Sequence, residues 1–293
     1  MSAARAELSR YFKVLARAAF VAFLLLPVAG PVRAGDDRPV RVVSINLCTD
    51  EMAMLLAAPG QLVSVSFLAA DPKVSALSDV ASGYRLNHGL AEEVFLMKPD
   101  LVLAGSYTTR DTVNLLKRLG VPVAEFAPES SLDDVRANLR RMGQLLGREQ
   151  AADKMVTSIN TALSRIDAEP VTQMTAAFYF ENGYTAGENT LTSEIAAHAG
   201  LKNVSATTGL DGLGRLPLEK LIMLSPQVIV TGDDSYSAPA LAEKVFVHPA
   251  FAALAKKSQV VDLPGRDTIC GGPFNITAME KLRNEVDRST ADE

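Results

Sequence analysis

The sequence predicts an α/β protein with two Rossmann-like lobes joined by a single long interdomain helix. Short apolar runs rich in β-branched residues alternate with amphipathic helical segments, which is typical of parallel sheets covered by helices. One helical segment, residues 148–169, is longer than the others and divides the chain. A short sequence pattern found before this segment occurs again after it.

The first lobe, residues 35–147, alternates strands with helices in chain order. Thr49 is the predicted N-cap of the first helix, and Asp50 and Glu51 suit the positive end of its dipole. We predict strands at 40–47, 62–66, 101–104 and 121–126, and helices at 49–58, 90–97 and 110–119.

The linking helix is predicted from apolar residues that recur at helical spacing without Gly or Pro between them. It would be about 30 Å long. The alternation then restarts in the second lobe, residues 170–293. We predict strands at 175–180, 227–231 and 259–263, and helices at 191–199, 218–224 and 276–286.

An internal repeat supports this division. Residues 92–105 read EEVFLMKPDLVLAG and residues 219–232 read EKLIMLSPQVIVTG, and an offset of 127 residues aligns Glu92 with Glu219. Each copy predicts a helix, a turn marked by proline, a buried strand and a final glycine. The two glutamates either favour their helix N-termini only, or form paired docking points for a two-fold symmetric partner.

The N-terminus, residues 1–34, has the pattern of a cleavable secretory signal peptide. Basic residues precede an apolar run at 18–30, and small residues surround Ala34. The run is shorter than the roughly 20 residues that span a bilayer, although an uncleaved anchor is the alternative. The formal charge of −5 argues against a nucleic-acid partner. We expect a soluble, monomeric protein of the periplasm.

Enzyme motifs are absent from the sequence. It contains no Gly-x-Ser-x-Gly elbow, no Gly-x-Gly-x-x-Gly loop and no Walker loop. His88, His198 and His248 are far apart and show no metal-ligand spacing. The sequence therefore predicts a binding protein without intrinsic cofactor or metal site, with an exported α/β enzyme as the alternative.

The signal peptide, the long helix and the paired Glu-helix-Pro-strand segments together resemble the periplasmic binding proteins that deliver ferric siderophores, haem or cobalamin to ABC importers. The resemblance covers about residues 41–286, most specifically MKPDLVLAG, its Ser225-Pro226 counterpart, and the stretch from His248-Pro249 to QVVDLP. It implies a ligand between the lobes and docking on the permease dimer, which works with ATPase subunits, through Glu92 and Glu219. The single long helix implies small lobe closure.

Candidate ligand residues follow the predicted strands, because open α/β sheets bind ligands at the carboxyl ends of their strands. Tyrosine rings can cover an organic chelate, and arginine can neutralise an anionic one. The candidates are Asn46, Cys48, Thr49, Phe67, Tyr84, Tyr107, Arg110, Tyr184, Arg215, Tyr236 and Arg266. The arginines make a ferric siderophore the first expectation. Cobalamin comes second, since the chain has no Trp, and haem third.

The two cysteines, Cys48 and Cys270, fall on loops predicted to face the cleft. An even pair in an exported protein suggests a disulfide. Two free thiols, or weak coordination of a soft metal, are the alternatives.

Overall fold

Two parallel sheets covered by helices form the fold within residues 38–171, 173–232 and 244–291, the part of the chain that the computed structural model describes. This architecture confirms the predicted α/β class with two lobes. The predicted signal peptide and Tyr236 lie outside the described residues. The lobe boundaries stay a prediction.

The first lobe is built around a five-stranded parallel sheet. Its strands are β1 (Val42–Ser44), β2 (Leu62–Ser66), β3 (Arg85–Asn87), β4 (Leu101–Gly105) and β5 (Val123–Phe126). Its helices are α1 (Leu47–Leu56), α2 (Ser78–Ala81), α3 (Ala91–Leu96), α4 (Arg110–Arg118) and α5 (Leu132–Leu146). The strand order is β3-β2-β1-β4-β5. Helices cover both faces, so β1 and β4 are buried along their whole length.

The second lobe contains a four-stranded parallel sheet and a separate two-stranded antiparallel sheet. Its strands are β6 (Met174–Phe178), β7 (Tyr184–Ala186), β8 (Leu201–Asn203), β9 (Leu213–Arg215), β10 (Val228–Thr231) and β11 (Gln259–Asp262). The remaining helices are α6 (Glu149–Ala168), α7 (Leu191–His198), α8 (Leu218–Leu224), α9 (Pro249–Ala255) and α10 (Phe274–Ala291). The larger sheet has the order β11-β10-β6-β8.

The two sheets share one strand arrangement. The order β2-β1-β4-β5 in the first lobe matches β8-β6-β10-β11 in the second. Val42 pairs with Leu101 in the first sheet, and Ala176 pairs with Val228 in the second. Leu101 and Val228 are separated by the 127-residue offset of the sequence repeat. The repeat therefore extends from sequence to strand pairing.

The turn before each repeated strand also has the same backbone conformation. Lys98 and Ser225 are related by the same offset, and their φ angles are +49° and +44°. Positive φ is uncommon for residues other than glycine. Pro99 and Pro226 follow directly. The two lobes thus build the same helix–turn–strand unit.

The linking helix α6 packs against α5 of the first lobe and against α7 and α10 of the second. Its buried side chains are Ala152, Val156, Ile159, Leu163 and Ile166. They belong to one apolar cluster that also contains Leu103 of β4 and Val230 of β10. The core is therefore continuous from one sheet to the other. Opening the lobes by bending α6 would expose part of this core to water. The exposure costs about 25 cal/mol of free energy per Å² of apolar surface.

A buried arginine in α10 secures the end of α6. Arg283 is almost fully buried and donates to the carbonyl oxygens of Ile166 at 2.7 Å and Pro170 at 3.1 Å. It also donates to the carbonyl oxygen of Glu169. The last carbonyls of a helix lack partners within the helix, so Arg283 satisfies them and ties α10 to the linker. Within the described residues, no helix combines the length and apolar character needed to cross a membrane.

Several local features differ from the sequence predictions. Helices α2, α5 and α9 and strands β3, β7, β8 and β9 were not predicted, and α1 begins earlier than predicted. Helix α1 begins at Leu47 and its N-cap is Asn46, so the predicted N-cap Thr49 is wrong. Both residue types cap helices well, and the early end of β1 places Asn46 at the cap position. Helix α5 was not among the predicted elements; Ser131 caps it through a hydrogen bond from the Asp134 backbone N–H.

Candidate functional site

A disulfide joins the two lobes at the carboxyl ends of their strands. Cys48 lies in the first turn of α1, directly after β1, and bonds to Cys270 in the loop between β11 and α10. The two residues are 222 positions apart in sequence, and their Cα atoms are 5.1 Å apart. The bridge therefore lies where the carboxyl ends of the two sheets meet, which is the edge at which open α/β sheets bind ligands.

Noncovalent contacts surround this bridge. The Arg266 Nη1 atom, in the second lobe, donates to the carbonyl oxygen of Pro72 in the first at 3.0 Å. Leu47, Cys270 and Phe274 form a small buried cluster that spans the two lobes. At Gly271, an added Cβ would come within 2.4 Å of a Val135 methyl carbon. The two lobes thus approach closely on both sides of the disulfide.

The first lobe presents an aromatic surface at its strand ends. Phe67 follows β2 and His88 follows β3, and their rings stack with centroids 5.5 Å apart and planes at 22°. Tyr107 follows β4 and is 88% exposed. Arg110, the first residue of α4, is exposed and makes no ion pair within the described residues. Leu68 and Leu90 add exposed apolar surface nearby in the chain.

The two-stranded sheet β7–β9 carries exposed aromatic and basic side chains of the second lobe. Tyr184 and Arg215 are directly paired across it, and the Arg215 guanidinium lies 5.0 Å from the centroid of the tyrosine ring. This distance is typical of a cation–π contact. Leu213, the first residue of β9, is also exposed. It was not among the sequence candidates; its position two residues before Arg215, on the same face of a strand, was the available signal.

Two of the predicted ligand residues have structural roles at the start of α1. Thr49 is fully buried, and its hydroxyl lies 2.8 Å from the Ser44 hydroxyl. It therefore cannot contact a ligand, which corrects the prediction for this residue. Asn46 accepts hydrogen bonds from the backbone N–H groups of Cys48 and Thr49. An added Cβ at Gly105 would come within 2.7 Å of the Asn46 amide nitrogen, so a larger residue there would displace the Asn46 side chain from its cap position.

Three other candidates are also engaged within the fold. Cys48 is part of the disulfide, and Tyr84 is half-buried against the main core. Arg266 uses its guanidinium to bind the Pro72 carbonyl. Phe67, Tyr107, Arg110, Tyr184 and Arg215 are the candidates that the structure leaves exposed at the strand ends.

Two adjacent carboxyl groups, Asp50 and Glu51, are buried in the first half of α1. Asp50 accepts hydrogen bonds from the Ser66 backbone N–H at 3.1 Å and from the Ser66 hydroxyl. Glu51 accepts from the Ala76 backbone N–H at 2.7 Å and from the Ser75 hydroxyl at 3.1 Å. Burial raises the pKa of Asp50 to about 6 and that of Glu51 to about 7, outweighing these hydrogen bonds. The second oxygen of Glu51 is buried without a hydrogen-bond partner among the described residues.

The repeated glutamates occupy equivalent exposed positions. Glu92 and Glu219 are each the second residue of their helix, α3 and α8. Neither makes a hydrogen bond or an ion pair within the described residues. Glu93, in contrast, accepts a hydrogen bond from the His88 backbone N–H at 2.8 Å. On α3 and α8, Glu92 and Glu219 are therefore the acidic residues that the repeat aligns with each other and whose carboxylates remain exposed to solvent.

Metal ligands do not cluster in the described part of the chain. No group of three or more His, Cys, Asp or Glu side chains there has an arrangement that could hold a metal ion.

Comparison with known proteins gives a family match over most of the chain. Residues 42–266 match the family described as periplasmic binding protein. The chain is 29% identical over 249 residues to a protein of Halobacterium salinarum named cobalamin-binding protein, covering 83% of this chain and 64% of that protein. It is 27% identical over 223 residues to the vitamin B12-binding protein of Yersinia pseudotuberculosis, covering 74% and 76% respectively. The chain thus spans less than two thirds of the Halobacterium protein.

Solved structures give the same fold at lower identity. The periplasmic haem-binding protein of Vibrio cholerae superposes with a TM-score of 0.71 and 18% identity, over 84% of this chain and 98% of that chain. The periplasmic vitamin B12-binding protein of Vibrio cholerae gives a TM-score of 0.67 and 17% identity, over 86% and 98%. At these identities the likeness concerns the fold alone.

Removal of the disulfide should lower stability substantially. The bridge closes a very long loop, and the loss of such a link costs about 2–5 kcal/mol of unfolding free energy. We expect the double variant Cys48→Ala, Cys270→Ala to unfold at a lower urea concentration than the oxidised protein. Wild-type protein reduced with dithiothreitol is the control and should match the variant. An unchanged midpoint in both samples would contradict the role given to the bridge.

The buried carboxyl groups should make stability decrease as the pH rises. Their pKa values are higher in the folded protein than the ordinary 3.8 and 4.5. The folded state therefore keeps protons that the unfolded chain has released, and stability is lost between about pH 4 and pH 7. For Glu51 the full loss of unfolding free energy across this pH range is about 3 kcal/mol.

The variant Glu51→Gln removes this titration and keeps an acceptor for Ser75 and Ala76. Urea unfolding at several pH values should show a smaller loss of stability from acid to neutral pH than in wild type. The exposed Glu149→Gln is the matched control and should follow wild type. A variant whose pH dependence equals that of wild type would disprove the assignment.

Proposed function

Because the chain belongs to the periplasmic binding protein family, we propose that it captures a corrinoid such as cobalamin between its lobes and delivers it to an ABC importer. Residues 1–34 would direct export to the periplasm and then be removed. Binding and release, without a chemical reaction, would be its whole activity. Two relatives named for cobalamin or vitamin B12 support this choice of ligand.

The exposed aromatic side chains at the strand ends are the observation that carries the proposal. Phe67 and Tyr107 come from the first lobe, and Tyr184 from the second. Each follows or begins a strand near the disulfide end of the sheets. Large flat macrocycles bind well between aromatic and apolar side chains, which give large contact areas at little entropic cost. A corrin ring has this flat shape.

The state of the arginines favours a ligand with little net charge. Arg266 binds a backbone carbonyl of the opposite lobe, and Arg215 lies over the Tyr184 ring. Arg110 is the one arginine of the three predicted that has no ion pair or ring contact within the described residues. An anionic ferric siderophore, the first expectation from the sequence, needs several such cations. Cyanocobalamin is nearly neutral and does not.

Haem is the second candidate, because two possible axial ligands are exposed at the strand ends. Tyr107 offers a phenol, and His88 offers an imidazole next to the Phe67 ring. Tyrosine and histidine both serve as haem ligands. A haem would also bring two propionates, which Arg110 could bind, and Arg215 could bind them after leaving the Tyr184 ring.

The two repeated glutamates are proposed as the docking points for the permease. Glu92 and Glu219 are exposed and equivalent in the two lobes, and neither forms an ion pair with another residue that the structure describes. A permease dimer presents every surface feature twice, so one glutamate per lobe fits a basic residue on each permease subunit. Such charges mainly orient the complex and speed its formation.

Ligand binding can be tested on purified residues 35–293 by thermal shift and calorimetry. We expect cyanocobalamin and cobinamide to raise the melting temperature, since a ligand at 100 times its Kd adds about 2.7 kcal/mol of stability. The double variant Tyr107→Ala, Tyr184→Ala should bind about tenfold or more weakly, from about 1 kcal/mol lost per ring. Leu119→Ala, an exposed apolar residue at the end of α4, is the control and should bind like wild type.

The outcomes separate the candidates. Stabilisation by haem alone would replace the corrinoid with the second candidate. Stabilisation by ferric siderophores alone would restore the first expectation from the sequence. Corrinoid binding unaffected by the tyrosine variants would show that the ligand lies elsewhere.

A further inference from the structure

Helices α3 and α8 each expose two adjacent large apolar side chains. On α3, Phe95 is 42% exposed and Leu96 is 77% exposed. On α8, Ile222 is 37% exposed and Met223 is 84% exposed. We refer to these as the first and second apolar pairs.

The two pairs are equivalent through the internal duplication. The 127-residue offset that aligns Glu92 with Glu219 also aligns Phe95 with Ile222 and Leu96 with Met223. The strands that follow, β4 and β10, occupy the same place in their sheets. The same surface is therefore presented twice, once on each lobe.

The side chains that fill the lobe cores from these helices are not those of the apolar pairs. The inward sides of the helices are occupied by Val94 on α3 and Leu221 on α8, both fully buried. Single exposed apolar residues are ordinary, but apolar pairs at matched positions on both lobes suggest an interaction surface.

Each apolar pair lies next to the repeated glutamate of its helix. Residues three and four positions apart share a helix face, so Glu92 neighbours Phe95 and Leu96. A shallow hollow of about 280 Å³ adjoins the first pair and is lined by Phe95, Leu96, Lys98, Pro99 and Val121. It could receive an apolar side chain of a partner.

We propose that the two apolar pairs, together with Glu92 and Glu219, form the docking surface for a two-fold symmetric membrane partner. On each of its two subunits the partner would present a basic residue beside an apolar side chain or pocket. The charges would orient the complex, and burial of the apolar pairs would supply most of its affinity. This inference rests on the proposed function and names the apolar half of the docking surface.

The test uses right-side-out membrane vesicles from cells that express the importer. Fluorescently labelled wild-type protein is bound to the vesicles, and unlabelled variants compete with it. We expect Leu96→Ser, Met223→Ser to compete at least about tenfold less well than wild type, because interfaces depend strongly on a few buried apolar residues. Glu92→Arg, Glu219→Arg should also compete poorly. Leu119→Ser, exposed on α4, is the matched control and should compete like wild type.

The results distinguish docking through the apolar pairs from docking through the two glutamates. Weakening by the glutamate variant alone would overturn the inference and leave permease docking intact. Weakening by the serine variant alone would retain the apolar surface and remove the glutamates from the proposed function. Absence of saturable wild-type binding would overturn both. If ultracentrifugation shows wild-type self-association that Leu96→Ser, Met223→Ser abolishes, the surface instead joins two copies of this chain. Unchanged cyanocobalamin binding by the variants checks that they fold.

Discussion

The fixed spacing of the two lobes is the constraint on which the rest of the structure depends. On one side, helix α6 and the apolar cluster around it form one core with both sheets. On the other side, the Cys48–Cys270 bridge joins the strand ends directly. Arg283 and Arg266 reinforce these two connections through backbone carbonyls. Lobes held at a fixed spacing suit a large, rigid ligand, because little conformational entropy is lost when it binds.

Duplication of one helix–turn–strand unit would explain how the same chain could serve both the proposed ligand and the proposed membrane partner. Parallel strands bring their carboxyl ends to one edge of each sheet, which places the aromatic side chains there. The helix before each repeated strand starts at that same edge, so its first turn carries Glu92 or Glu219 near the cleft. The proposed ligand surface and the proposed docking surface therefore lie next to each other on the same repeated unit.

Local patterns in the sequence predicted much of this fold, and tertiary contacts account for what they missed. The length of α6 and the repeat followed from apolar periodicity, which depends on neighbouring residues only. The N-cap of α1 depended on where β1 ends, since Asn46 and Thr49 are both good caps. The candidate site was harder, because Thr49, Tyr84 and Arg266 have residue types that suit a cleft. Only the fold shows that they contact core or backbone groups instead.

The fixed cleft is tested most directly by measuring the distance between the lobes. Spin labels at positions 118 and 257 can be attached through an unnatural amino acid, so that Cys48 and Cys270 stay paired. Double electron–electron resonance is then recorded with and without saturating cyanocobalamin. We predict two distance distributions that nearly coincide, since the shared core and the bridge resist rotation of the lobes. A clearly shorter, separate distance in the bound sample would show hinge closure and contradict the account.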